Sequence, residues 1–149
     1  MPSLSTEITI RAARSQVWQA LIHKERWLYW NTFLFDRDPA RPLSAGNHVM
    51  LSVRRTEDDD EIEFQSYITV VQPNACLQWL STAPGFKSQH SFELQDVDVD
   101  VTRYRHQERF SGAMSSLLLP FIRRDELQGL RRMAHELKNY VEYPQRRRG

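Results

Sequence analysis

From Thr102 to Phe110 the chain alternates with a strict two-residue period, and nothing else in it constrains the fold as tightly. Arg103, Arg105, Gln107 and Arg109 share one face of the implied strand and must meet water. Thr102, Tyr104, His106, Glu108 and Phe110 share the other and must point inward. That inward face carries a hydroxyl, a phenol, an imidazole and a carboxylate among apolar groups. Such groups cost free energy unless they are paired or face a solvated space. The strand breaks at Ser111-Gly112, and an apolar helical stripe follows at Leu127, Leu130, Ala134, Leu137 and Val141, reinforced by Met133 and Tyr140. Some 20 residues of helix make a rod of roughly 30 Å, enough to cross a sheet. A sheet with a partly polar inner face under a long helix predicts a cavity rather than a filled core.

The rest of the chain supplies that sheet. Ser5 to Ala12 alternates as a first strand, with Ile8 and Ile10 on one side. Ser15 is placed to cap a helix running to His23, and Glu25 to Asn31 reads as a second short helix rich in aromatics. Asn31 to Asp38 reads as a short strand, followed by a loop at Pro39, Pro42 and Ser44 to Asn47. Five strand-like runs follow: His48 to Arg55, Glu61 to Val71, Cys76 to Ser81, Gly85 to Gln95 and Val99 to Phe110. The acidic block Glu57 to Glu61, Pro73-Asn74, Pro84-Gly85 and Asp96 to Asp98 separate them. Connections this short imply antiparallel neighbours. Asp125, with Gln128 three residues on, is placed to restart the last helix after Pro120.

The fold class is therefore α+β: one domain over residues 1–149, in the order strand, two helices, six strands, long helix. A curved antiparallel sheet of about seven strands wraps around the C-terminal helix. The 149 residues are the size of one ordinary domain. Twenty basic against nineteen acidic residues give a net charge of +1, which argues against a nucleic-acid partner. The longest apolar run, Leu117 to Ile122, contains Pro120 and cannot span a membrane. A single cysteine, Cys76, excludes an internal disulfide, and the start of the chain lacks a secretory pattern, so the expected location is the cytoplasm. The tail Arg146 to Arg148 is too short for a nucleic-acid or membrane patch.

Three segments resemble the START-like superfamily, also called SRPBCC, whose helix-grip fold polyketide cyclases and pollen allergens share. Ser15-Gln16-Val17-Trp18 with Ala20-Leu21 is similar to its first helix, and Trp30-Asn31-Thr32-Phe33 to its tryptophan-asparagine-x-phenylalanine turn. His106 to Gly112 is similar to its last strand and glycine exit. The resemblance covers essentially the whole chain. It implies a hydrophobic ligand cavity between sheet and last helix, and it brings no universal catalytic residue.

The expected function is binding, transport or sensing of a small hydrophobic molecule by a monomer or homodimer. Trp30, Phe64, Trp79, His90, Phe92, Tyr104, His106, Phe110 and Met133 are the candidate ligand-binding residues. A cyclase or dehydratase using His106, Glu108, His90 and Tyr104 is the alternative, since a His/Glu pair in an apolar pocket can exchange protons. The structural reading, in which the same residues do no more than hydrogen-bond one another or water, stands ahead of the catalytic one. An interaction module resembling a chaperone cofactor is a third class. No metal or cofactor is expected: two histidines and a carboxylate can make a facial triad, but no compact ligand spacing occurs. Nucleophile elbows and phosphate loops are also missing from the sequence.

Overall fold

In the computed structural model, which describes residues 2–83 and 85–143, β1 (Ser3–Ile10) leads into α1 (Arg14–Ile22) and a 3-10 turn over Lys24–Tyr29. The sheet continues with β2 (Leu34–Asp36), β3 (His48–Val53), β4 (Ile62–Gln72), β5 (Cys76–Ala83), β6 (Phe86–Asp98) and β7 (Val101–Ser111). A single long helix, α2 (Ser115–Glu142), closes the chain. All seven strands pair antiparallel in the order β1-β7-β6-β5-β4-β3-β2. Every neighbour is a hairpin except the β1–β7 pair, which brings the two ends of the chain together, with Thr6 opposite His106.

The alternation in β7 is realised: Thr102, Tyr104, His106, Glu108 and Phe110 are buried, while Arg103 and Arg109 are exposed. The α2 stripe is buried against the sheet at Leu130, Met133, Ala134 and Leu137, with Val141 half-buried at its end. Arg131 is exposed as the stripe predicts. Lys138 and Glu142 are half-buried because they bond the neighbouring strand end, Lys138 Nζ donating to the Thr9 carbonyl and the Arg11 amide donating to Glu142. Gly129 lets α2 approach: a Cβ there would lie 2.2 Å from the Phe33 ring.

Two sequence expectations are corrected at helix ends. The N-cap of α1 is Ala13, not Ser15, and the Gln16 side chain accepts from the Ala13 amide at 3.1 Å. Nor does α2 restart at Asp125; it runs unbroken from Ser115 through Pro120. A proline so near the helix start removes one backbone hydrogen bond without ending the helix. Pro84 and the Arg146 to Arg148 tail lie outside the described residues.

The Trp30 to Phe33 turn ties these layers together. Asn31 Oδ1 accepts from the amides of Phe33 and Leu34, both at 2.9 Å, turning the chain into β2. Thr32 Oγ1 donates to Glu136 at 2.7 Å, and Arg132 donates to the carbonyl of Arg54 at 3.0 Å. The start of β2, the end of β3 and the middle of α2 are thereby fixed to one another.

Candidate functional site

Antiparallel register places Glu108 of β7 directly opposite His90 of β6, and His106 opposite Phe92. Because opposite residues share a sheet face, all of these side chains point toward α2. His90 Nε2 lies 3.2 Å from Glu108 Oε2, and His90 Nδ1 lies 3.0 Å from His106 Nε2. From α2, Glu126 comes down onto the same spot, with Arg55 Nε donating to its Oε1 at 2.8 Å. His90, His106, Glu108 and Glu126 are all buried, none more than 3% exposed.

Burial decides the charges here. It drives His90 down to about 4, against a weaker pull from Glu126 in the other direction. His106 is held well below the usual imidazole range by burial and by the neighbouring His90. Both imidazoles are therefore neutral at pH 7. Burial pushes Glu108 up, opposed by Glu126, Ser88 and Arg55, and pushes Glu126 well up, reinforced by Glu108. Two buried carboxylates face one guanidinium, so they titrate as a coupled pair rather than independently. The neutral imidazoles then form a directed chain in which His106 Nε2–H donates to His90 Nδ1 and His90 Nε2–H donates to Glu108. This tautomer leaves a lone pair, rather than an N–H, on the unpartnered His106 Nδ1.

The cluster forms the polar floor of a cavity of about 110 Å³. Leu34, Val53, Phe64 and Phe86 make its apolar walls, and Ser81, Ser88, His90, Glu108, Glu126 and Arg55 its polar lining. Ile62, Glu63 and Thr82, exposed residues of the same lining, mark its rim at the start of β4 and the end of β5. Glu108 Oε1 is buried without a hydrogen-bond partner.

Of the ligand-binding candidates, Phe64 and His90 line this cavity, together with Glu108 from the acid–base set. The others are buried outside that lining, His106 directly behind His90. Phe92 packs at a tilt against His106, with centroids 4.0 Å apart, and against Trp79 at 4.9 Å, under the middle of β6 and β7. Tyr104, Phe110 and Met133 are fully buried, and Trp30 stacks on Tyr140 at 6.0 Å. The cavity therefore lies toward β3, β4 and β5 rather than under the last two strands alone.

Glu126 and Arg55 are the residues that sequence reasoning missed, and both carried a signal. Glu126 stands one helical turn before Leu130 on the buried stripe, and Arg55 continues the inward series Val49, Leu51, Val53. Among the described residues, His90, Glu108 and Glu126 also form a group whose ligating atoms all lie within 4.8 Å of one another.

No family model matches the sequence, and no curated protein matches it either. Solved structures do match the fold. A START-superfamily protein from Mycobacterium smegmatis is similar with a TM-score of 0.73 and 15% identity, over 95% of this chain and 98% of that one. Protein CV1439 from Chromobacterium violaceum is similar with a TM-score of 0.74 and 10% identity, over 95% and 99%. DynU16, from the dynemicin biosynthetic locus, is similar with a TM-score of 0.67 and 17% identity; this chain is covered over 95% and spans 48% of that longer protein. At these identities the likeness concerns architecture alone. With its seven-stranded curled antiparallel sheet gripping a long terminal helix, the chain has the START-like, or SRPBCC, fold.

Proposed function

We infer that the chain binds a small hydrophobic molecule in the cavity between β3, β4, β5 and α2, with a polar group of that molecule seated on Glu108. The observation that carries this reading is an apolar-walled cavity whose floor holds a buried, unpartnered carboxyl oxygen. Such an oxygen costs about 1–3 kcal/mol while unpaired, so a ligand hydroxyl or amine that donates to it gains specificity as well as affinity. Size narrows the class. A cavity of about 110 Å³ suits a single-ring molecule, since an engineered void of about 150 Å³ holds benzene. A multi-ring polyketide requires the cavity to widen. The START-like architecture, shared with the di-domain ARO/CYC BexL as well as with DynU16, supports a ligand-binding reading in general and leaves the ligand to these residues.

Native mass spectrometry of gently purified protein tests this. Wild type is expected to carry a bound small molecule that Ile62→Trp, a plug at the exposed rim on the same sheet face as Val53 and Phe64, excludes. A wild-type protein that carries no adduct and takes up no added single-ring aromatic overturns the reading.

Acid–base catalysis on the bound molecule is a second reading, favoured by one observation. Two buried carboxylates, Glu108 and Glu126, line the cavity floor with His90 Nε2 3.2 Å from Glu108, and burial raises both carboxyls. Glu108→Gln then slows turnover by roughly 100-fold or more. A bound molecule recovered chemically unchanged from wild type leaves binding as the whole function.

A further inference from the structure

We propose that His90 Nε2, Glu108 and Glu126 form a binding site for a divalent first-row transition ion at the floor of the cavity. The site does not depend on the hydrophobic ligand; the metal alone is sufficient to test it.

Geometry carries the proposal. Two ligand atoms about 2.0–2.1 Å from a tetrahedral zinc ion lie roughly 3.3 Å apart. His90 Nε2 and Glu108 Oε2 are 3.2 Å apart already. The third ligand, from Glu126, keeps all three donor atoms within 4.8 Å, and rotation about its side-chain bonds closes the remainder. One imidazole and two carboxylates, with space left on the cavity side, match the donor set of open sites that keep a position for water or substrate.

Two further observations point to a ligand here. Glu108, only 2% exposed, presents an Oε1 that bonds nothing and lines the cavity. The second concerns the neighbours of the donor groups. His90 Nδ1 is held by His106 Nε2 at 3.0 Å, an outer contact on the second ring nitrogen, where metal-binding histidines are commonly oriented by a hydrogen bond. Arg55 occupies Glu126 Oε1 and leaves Oε2 for the ion. Charge is also favourable. Two carboxylates against one guanidinium leave a buried negative charge whenever both are ionised, and a divalent ion compensates it where otherwise a proton must. When the ion binds, any carboxyl proton leaves; the His106 Nε2 proton passes to His90 Nδ1, which then donates back to His106 Nε2, and His106 takes up at Nδ1 the proton displaced from His90 Nε2, so both imidazoles stay neutral. His106 is thus a positioning residue rather than a ligand.

The test is titration of chelator-treated protein with Zn2+ by calorimetry, with Co2+ as a spectroscopic substitute. Wild type is expected to take up one equivalent, with proton release that varies with buffer, and to show the visible spectrum of four- or five-coordinate Co2+. Glu108→Gln, close in shape to the native residue, removes saturable binding. Glu126→Gln weakens it at least tenfold and serves as the second variant should Glu108→Gln fail to fold. His106→Ala lowers affinity by about 10–100-fold while leaving the stoichiometry unchanged. Absence of binding to folded wild type overturns the proposal. So does binding that survives both glutamine substitutions, which would place the ion on exposed histidines such as His23 or His48.

Discussion

The two halves of α2 make opposite use of one helix. From Gly129 onward, Leu130, Met133, Ala134 and Leu137 are sealed in the core, Arg132 and Glu136 bond the Thr32 turn, and Lys138 and Glu142 bond the end of β1 and the residue after it. Before Gly129 only Ser115, Leu119 and Glu126 are buried, while Leu117, Leu118 and Phe121 stand in water. The second half holds the fold. The first half packs more thinly, through Leu119, Ile122 and Leu127, and Glu126, just before the junction, is its contribution to the cavity. Anchoring and function have been separated along a single element, so substitutions in the two halves should differ in kind.

The largest effect is expected in the anchored half. Leu137→Ala leaves a void where no water now reaches and should cost about 2–5 kcal/mol in urea unfolding. A cost below about 1 kcal/mol would place the anchor elsewhere.

Next comes the cavity floor, read by pH in the metal-free protein. His90 falls from an ordinary 6.5 to about 4 on folding, so the unfolded chain binds the proton more tightly. Its contribution is present above pH 6.5 and is lost as pH falls toward 4. That loss is on the order of 3 kcal/mol. His106, also lowered, acts in the same direction. The raised Glu108 and Glu126 act in the opposite sense: their contribution is full below pH 4.5 and is lost as pH rises through their folded values. His90→Gln should therefore flatten the acid limb of the stability curve, and Glu126→Gln the opposite limb. Parallel curves for wild type and His90→Gln would contradict the assignment.

At the junction, Gly129→Ala drives a methyl into the Phe33 ring and should cost about 1–3 kcal/mol, visible as a lower melting temperature. The smallest effect belongs to the free half, where Phe121→Ser should change stability by less than about 0.5 kcal/mol. A large loss there would show that the first half is anchored after all.

The sequence carried the fold because its signals are periodic and local. The β7 alternation and the α2 stripe each survive into the structure, and short turns leave antiparallel pairing as the only economical connection. The site was legible only in part. His90 and Glu108 could be brought together because hairpin register links residues on adjacent strands. Glu126 and Arg55 come from elements far apart in the chain, 71 positions from each other, and only their place on inward faces betrayed them. The division of the aromatics was not legible. Whether Phe92 fills a space or lines one depends on Trp79 and His106 around it, and alternation assigns a side chain to a face without saying what lies above it.

The central claim is that this cavity takes a small apolar molecule with a polar end. Titration with phenol, followed by backbone and side-chain NMR, tests it most directly. Saturable shifts centred on Val53, Phe64, Ser81, His90 and Glu108, and their loss in Ile62→Trp, are the result expected. Shifts confined to the separate cleft at His23, Arg26 and Tyr140, or no saturable shifts at all, would contradict the account.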